Sequence, residues 1–261
     1  MSDLQVIAFD AGVKLDRWPS APAERLLKGE PVAHGHYYLQ DEANGVTAGV
    51  WHCTPMTTKP APYKVNEFMH LLKGSVTFDY ADGTSETFKA GDSFVVHKGT
   101  PVSWNQSEDV LKYFVIFNDA SGAQAAEPEK LRAIRMEPHG PAGKGMVQSV
   151  IADTSLYEGG VPTQHSHNYF SEPTGQLVAG VWDTSPMFRK TMPFPRHELM
   201  MILEGAVTIT DGNGKAQTFK AGESFFAPKG AVFSWTSTEY VRKYYVIFQP
   251  KAAVAVADAA E

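Results

Sequence analysis

Short apolar runs broken by glycine make up most of this chain. Over residues 67–104, EFMHLLKGSVTFDYADGTSETFKAGDSFVVHKGTPVSW, the order reads strand, turn, strand, turn, strand. Leu71-Leu72 leads to Gly74, and Val76-Thr77-Phe78 is followed by Asp82-Gly83. Thr87-Phe88 is followed by Gly91-Asp92, and Phe94-Val95-Val96 by Lys98-Gly99. Runs this short, rich in β-branched and aromatic residues and punctuated by glycine, predict an antiparallel all-β domain. Asp-Gly at a hairpin tip supplies the positive φ that a tight turn needs.

The same pattern returns over residues 198–235, ELMMILEGAVTITDGNGKAQTFKAGESFFAPKGAVFSW. Gly29 matches Gly160, Pro31 matches Pro162, Trp51 matches Trp182, Gly91 matches Gly222 and Phe117 matches Phe248, always 131 residues apart and without a gap. Roughly four positions in ten are identical across this span, which marks a duplication and the same fold twice. The chain therefore divides into a lead-in over 1–28, a first barrel over 29–117, a linker or arm over 118–159, a second barrel over 160–248 and a tail over 249–261. Within a copy, 48–51 reads as a strand, 55–62 as a loop, 63–72 as a second strand and 112–117 as the closing strand. Wrapping such strands into a jelly-roll barrel closes their edges, and the barrel mouth is the natural cavity. In the lead-in, residues 23–27 predict one helical turn, in a segment expected to lie across a barrel or cap a neighbouring one. In the linker, 119–129 reads as mobile and 128–136 as a short helix or an arm. The Ala-rich tail is expected to fray.

Composition narrows the function. The formal net charge is −6 and there is no basic run, so neither nucleic acid nor an anionic membrane is an expected partner. The single cysteine, Cys53, excludes an internal disulfide and fits a reducing compartment. It matches Thr184 in the second copy and reads as a small apolar filler. The N-terminal MSDLQVIAFDAG has no apolar core of a signal peptide, and no apolar run approaches membrane-spanning length. These features predict a cytoplasmic protein.

Glu67 followed by six residues and Gly74, then by Gly91-Asp92 and Gly99, resembles the two cupin motifs, and Glu198, Gly205, Gly222 and Gly230 repeat it. The wider set, Gly49-Val50-Trp51, Phe88-Lys89-Ala90-Gly91, Ser103-Trp104 and Lys112-Tyr113, is similar to the cupin subgroup (DUF861 type) that includes ureidoglycine aminohydrolase. The resemblance implies a bicupin: two tandem RmlC-like jelly-roll β-barrels packed as a pseudo-dimer. A typical cupin binds a metal with His-x-His on one strand face, a glutamate beyond it and a third histidine opposite, because alternate residues share a face. With Glu67 as the carboxylate, the histidine positions fall at about Ala61, Tyr63 and Val102. In the second copy they fall at Met192, Phe194 and Phe233. The aminohydrolase set of one Glu, two His and one Gln is not met either. One carboxylate alone holds a divalent transition ion poorly, so no metal, and no other cofactor, is expected at the usual positions. His34-x-His36 and His165-x-His167 recur at the same offset and stay open as a rebuilt metal site or as histidines fixed by the fold. His70, His97 and His197 have no counterpart and read as structural or surface residues.

Glu67 and Glu198 each lie in an apolar strand, where a carboxyl gains proton affinity and can act as acid or base. Tyr63 is the one polar replacement at a former ligand position, and Phe194 lacks its hydroxyl. Glu67 and Tyr63 are therefore the candidate catalytic pair. Trp51, Val102 and Trp104 are the candidate ligand wall of the first barrel. Met192, Phe194, Glu198, Phe233 and Trp235 are that of the second, with Met192, Phe194 and Phe233 predicting an apolar pocket. Lys112 and Lys243 read as ion-pair partners of the glutamates or, more simply, as edge-strand charges. Three functions follow: a small-molecule-binding bicupin whose chemistry, if any, is metal-independent; a metal-dependent C–N hydrolase of the aminohydrolase type; and a non-enzymatic sensor or structural bicupin. The expected partner is an unidentified small metabolite, and the expected assembly a homodimer.

Overall fold

A computed structural model describes residues 4–119 and 127–250. Most of the linker stretch expected to be mobile (120–126) and of the tail expected to fray (251–261) lies outside the described residues. The chain forms two jelly-roll barrels, each a seven-stranded antiparallel sheet facing a smaller one. In the first barrel the large sheet runs, in spatial order, Ile134–Arg135, Ser93–Val96, Asn66–Lys73, Val110–Phe117, Val46–Cys53, Ala33–Asp41 and Asp16–Trp18. Its small sheet runs Ser85–Lys89, Ser75–Tyr80, Pro101–Gln106, Met56–Thr58 and Leu26–Lys28, with Ala61–Pro62 pairing onto Pro101–Gln106. The second barrel repeats both sheets. Its large sheet runs Ile7–Phe9, Ser224–Ala227, His197–Glu204, Val241–Phe248, Leu177–Thr184, Gln164–Ser171 and Val147–Gln148.

Asp16–Trp18 and Leu26–Lys28 have counterparts in Val147–Gln148 and Tyr157–Glu158, again offset by 131. The structural repeat thus begins before the identity becomes visible. The lead-in contributes strands to the first barrel, and its helical turn is a single 3-10 turn, Ala23–Arg25. The segments ahead of each barrel exchange places. Ile7–Phe9 pairs with Ser224–Ala227 of the second barrel, while Ile134–Arg135 pairs with Ser93–Val96 of the first. The N-terminal arm therefore crosses to the other barrel of its own chain.

Strand alternation sends side chains to two dry compartments. Along Asn66–Lys73, Glu67, Met69 and Leu71 enter the first barrel, whereas Phe68 faces the second. The two large sheets pack back to back, with Val46, Val50 and Phe117 meeting Leu177, Val181 and Phe248. The Phe117 and Phe248 rings lie 5.0 Å apart. Gly49 and Gly180 open the recurring Gly-Val-Trp because a Cβ there would collide with the carbonyl oxygen of His36 or His167. No helix among the described residues is long and apolar enough to cross a membrane.

Candidate functional site

In the first barrel Asn66–Lys73 and Val110–Phe117 are central neighbours, so Glu67 and Lys112 both project inward. Lys112 Nζ donates to Glu67 Oε1 at 2.7 Å, and both side chains are 6% exposed. Nζ also lies 3.0 Å from Met69 Sδ. It sits 4.8 Å from the Trp51 ring centre and 4.9 Å from that of Trp104. The two indoles meet edge to face at 6.0 Å. Their negative faces offset part of the cost of removing the ammonium from water, and the carboxylate offsets more. The cage is fixed from behind. Trp104 Nε1 donates to Gln106 Oε1 at 2.7 Å, and Gln106 Nε2 donates to the carbonyl oxygens of Cys53 and Thr54 at 2.9 and 3.0 Å. The edge-strand reading of Lys112 is thus corrected, because its strand has neighbours on both sides.

The second oxygen of Glu67 is engaged as well. The Tyr63 hydroxyl donates to Oε2. Burial first, and then the Glu67 charge and hydrogen bond, push the Tyr63 phenol well above its ordinary value. The phenol therefore keeps its proton. These groups border a cavity of about 370 Å³ walled by Trp18, Tyr37, Trp51, Trp104, Phe114 and Val102. Arg25 and Lys64 line both this cavity and an outer hollow that includes Lys98, so the mouth is basic.

The second barrel keeps the cage and changes what surrounds it. Lys243 Nζ donates to Glu198 Oε1 at 2.6 Å and lies 4.9 and 5.2 Å from the Trp182 and Trp235 ring centres. Where Tyr63 stands in the first barrel, Phe194 offers no hydroxyl. Arg196 Nε donates instead to Glu198 Oε2 at 3.1 Å. Burial raises the Glu198 carboxyl, but Lys243 and Arg196 outweigh it and hold the group below the usual carboxylate range. Burial also lowers the Lys243 ammonium, against the pull of Glu198. Phe194, Glu198 and Trp235 line a cavity of about 270 Å³ together with Arg189 and Arg196. The apolar pocket expected there is corrected. Phe233 is packed away at 1% exposure against Phe194, Met192 pairs with Phe233 through the backbone, and neither side chain lines the cavity.

The residues around Glu67 do not suit a divalent ion. Ala61 and Val102 supply no donor, Tyr63 holds its proton, and an ammonium already occupies one carboxylate oxygen. Glu198 has the same ammonium contact and a guanidinium besides. His34 and His36 point away from the Glu67 cavity, since Tyr37, between His36 and Tyr38, lines it and the alternate positions face the opposite side. In the second barrel Gln164 and Ser166 line the cavity, which turns His165 and His167 outward, and His165 Nδ1 lies 2.8 Å from Asp183 Oδ1. Among the described residues, no three of His, Cys, Asp and Glu are grouped so as to hold a metal ion.

Trp18, Tyr37, Arg189 and Arg196 were not apparent as site residues in the sequence. The arginines had one signal: they stand where the first copy has Thr58 and Val65. Differences between the copies, rather than their identities, locate them.

The EutQ-like cupin domain matches this chain twice, at residues 40–114 and 171–245. Among solved structures, the chain is similar to a protein of unknown function of the DUF861 family from Pseudomonas syringae pv. tomato. The two are 27% identical, the match spans 94% of this chain and 100% of that one, and the TM-score is 0.75. A cupin 2 conserved barrel domain protein from Leptotrichia buccalis is 14% identical over 89% of this chain and 92% of that one, with a TM-score of 0.51. Protein YlbA from E. coli is 9% identical over 85% of each chain, also at 0.51. At these identities the latter two speak to the fold alone. No curated protein matches the chain.

Proposed function

This chain belongs to the EutQ-like cupin family, and from that premise we propose that its first barrel binds a small molecule and moves a proton on it without a metal ion. One observation carries this reading: Tyr63 stands at the cavity wall with its hydroxyl on a carboxylate that Lys112 keeps paired. A proton leaving a bound ligand reaches Glu67 through the phenol. The ligand's proton passes to the Tyr63 oxygen as the phenol's own proton passes to Oε2. Neutralising Glu67 leaves the caged ammonium facing the negative charge developed on the ligand, and such a preset charge stabilises that state without reorganisation. The aromatic wall favours a flat ligand with an acidified C–H or N–H, such as one next to a carbonyl.

The test uses protein freed of metal with a chelator, a panel of small carbonyl compounds in D2O, and NMR to follow exchange at carbon. Tyr63→Phe copies the second barrel's residue, so it is tolerated by the fold. It is expected to cut exchange at least about a hundredfold while the ligand still raises the melting temperature. Exchange at the wild-type rate in Tyr63→Phe contradicts the relay. Binding without turnover is the second reading, favoured because both Glu67 oxygens are already engaged. A ligand that shifts melting but exchanges no hydrogen supports it.

A further inference from the structure

The second barrel has a cationic chamber that the proton relay does not use. Arg189, Arg196 and Lys243 line it against the single carboxylate of Glu198. Glu198 is already shared by Lys243 at 2.6 Å and Arg196 at 3.1 Å. Arg189 is left over. Its Nε and Nη2 are buried and have no hydrogen-bond partner. Its guanidinium carbon lies 5.1 Å from the Phe233 ring centre and 5.4 Å from that of Phe194. These two nitrogens form one edge of the guanidinium, the fork that receives two oxygens of a carboxylate or phosphate side by side. Buried charged donors without a partner are costly, and a native fold that keeps them invites an explanation by what binds there.

The changes between the copies point the same way. Arg189 replaces Thr58, Arg196 replaces Val65, Gln164 replaces Ala33 and Ser166 replaces Gly35. All four of the replacing side chains border this one chamber.

We propose that the second barrel is a binding site for a small oxyanion, a carboxylate or a phosphate, received on the Nε–Nη2 edge of Arg189, with Arg196 and Lys243 supplying the balancing charge. The chamber of about 270 Å³ suits a compact anion. Burial pulls Arg189 below its ordinary value, with Glu198 opposing, so a bound anion also relieves the strain of holding that charge in a dry place.

The experiment is isothermal titration calorimetry of the full chain at low ionic strength with sodium malonate and, separately, sodium phosphate, against a chloride control. Each variant takes the residue of the first barrel, Arg189→Thr or Arg196→Val. One anion per chain is expected for at least one of the two probes, and the probe that binds tells carboxylate from phosphate. Arg189→Thr is expected to weaken it at least about tenfold while the melting temperature of the anion-free protein stays level or rises, because an unpaired buried charge has been removed. Arg196 is partly exposed, so Arg196→Val keeps the question answerable if Arg189→Thr fails to fold. An Arg25→Ala/Lys64→Ala double variant controls for the basic mouth of the first barrel. Affinity retained there and lost in Arg189→Thr or Arg196→Val supports the assignment. No binding of either anion, or binding lost only in the mouth variant, overturns it.

Discussion

Lys112 is buried, charged and paired, and each of these conditions depends on the other two. Taking an ammonium out of water is expensive, and Glu67 at 2.7 Å with two indole faces near 5 Å offsets the cost. Removing one member leaves the other stranded. Lys112→Met is therefore expected to destabilise the fold by about 3–5 kcal/mol, read as a lower urea midpoint at unchanged slope. The double variant Lys112→Met/Glu67→Gln should regain most of that loss, because the amide still accepts from Tyr63 and no buried charge remains. A single variant with no loss would show that the pair is not closed in solution. Much of this residue-level picture was legible beforehand. Glu67, Tyr63 and Val102 were identifiable from the motif resemblance, Trp104 from strand parity and Trp51 from its recurrence, and all five line one cavity. The lysine was not. A lysine next to a tyrosine near the end of a chain repeat looks the same whether its strand is an edge or a centre, and only the pairing on both sides decides.

At the scale of the strand, the two faces of Asn66–Lys73 carry different chemistry. The inward face holds Glu67, while the outward face carries His70 toward the other barrel. There His70 Nδ1 lies 2.9 Å from Ser93 Oγ and the ring stacks on Tyr113 at 6.4 Å. Burial pushes this imidazole down to about 4, against a small opposing effect of Asp92. The unfolded chain takes up a proton near pH 6.5 that the folded chain refuses until about pH 4. Stability from this residue is therefore complete above about pH 6.5 and falls as the pH drops through that window, by at most roughly 3 kcal/mol. His97 and His197 are lowered too, chiefly by burial, and add in the same direction. The second copy has Met201 in the place of His70, so His70→Met is the natural variant. Urea midpoints measured from pH 7 to pH 4 are expected to fall less steeply in His70→Met than in the wild type. Parallel slopes would mean that His70 is free to protonate in the folded protein. The strands themselves were readable from β-branched runs and glycine turns. The crossing of Ile7–Phe9 and Ile134–Arg135 was not, since a strand of two or three residues leaves no period to detect.

Over the whole molecule, a gapless duplication has kept the frame and divided the chemistry. Both barrels hold a lysine between a glutamate and two tryptophans. Around that shared centre the first barrel placed a phenol and an aromatic wall, and the second placed two guanidinium groups. The arms, each adding a strand to the barrel it does not precede, tie the halves together around the core between the large sheets. We take a lysine ammonium to be the cation at the heart of each barrel. Anomalous X-ray diffraction tests it most directly, on crystals grown with manganese and with zinc and recorded at each absorption edge. Lysine density is expected 2.7 Å from Glu67 and 2.6 Å from Glu198, with no anomalous peak bound to either carboxylate. A peak on Glu67 or Glu198 with the lysine swung out of its cage would contradict it.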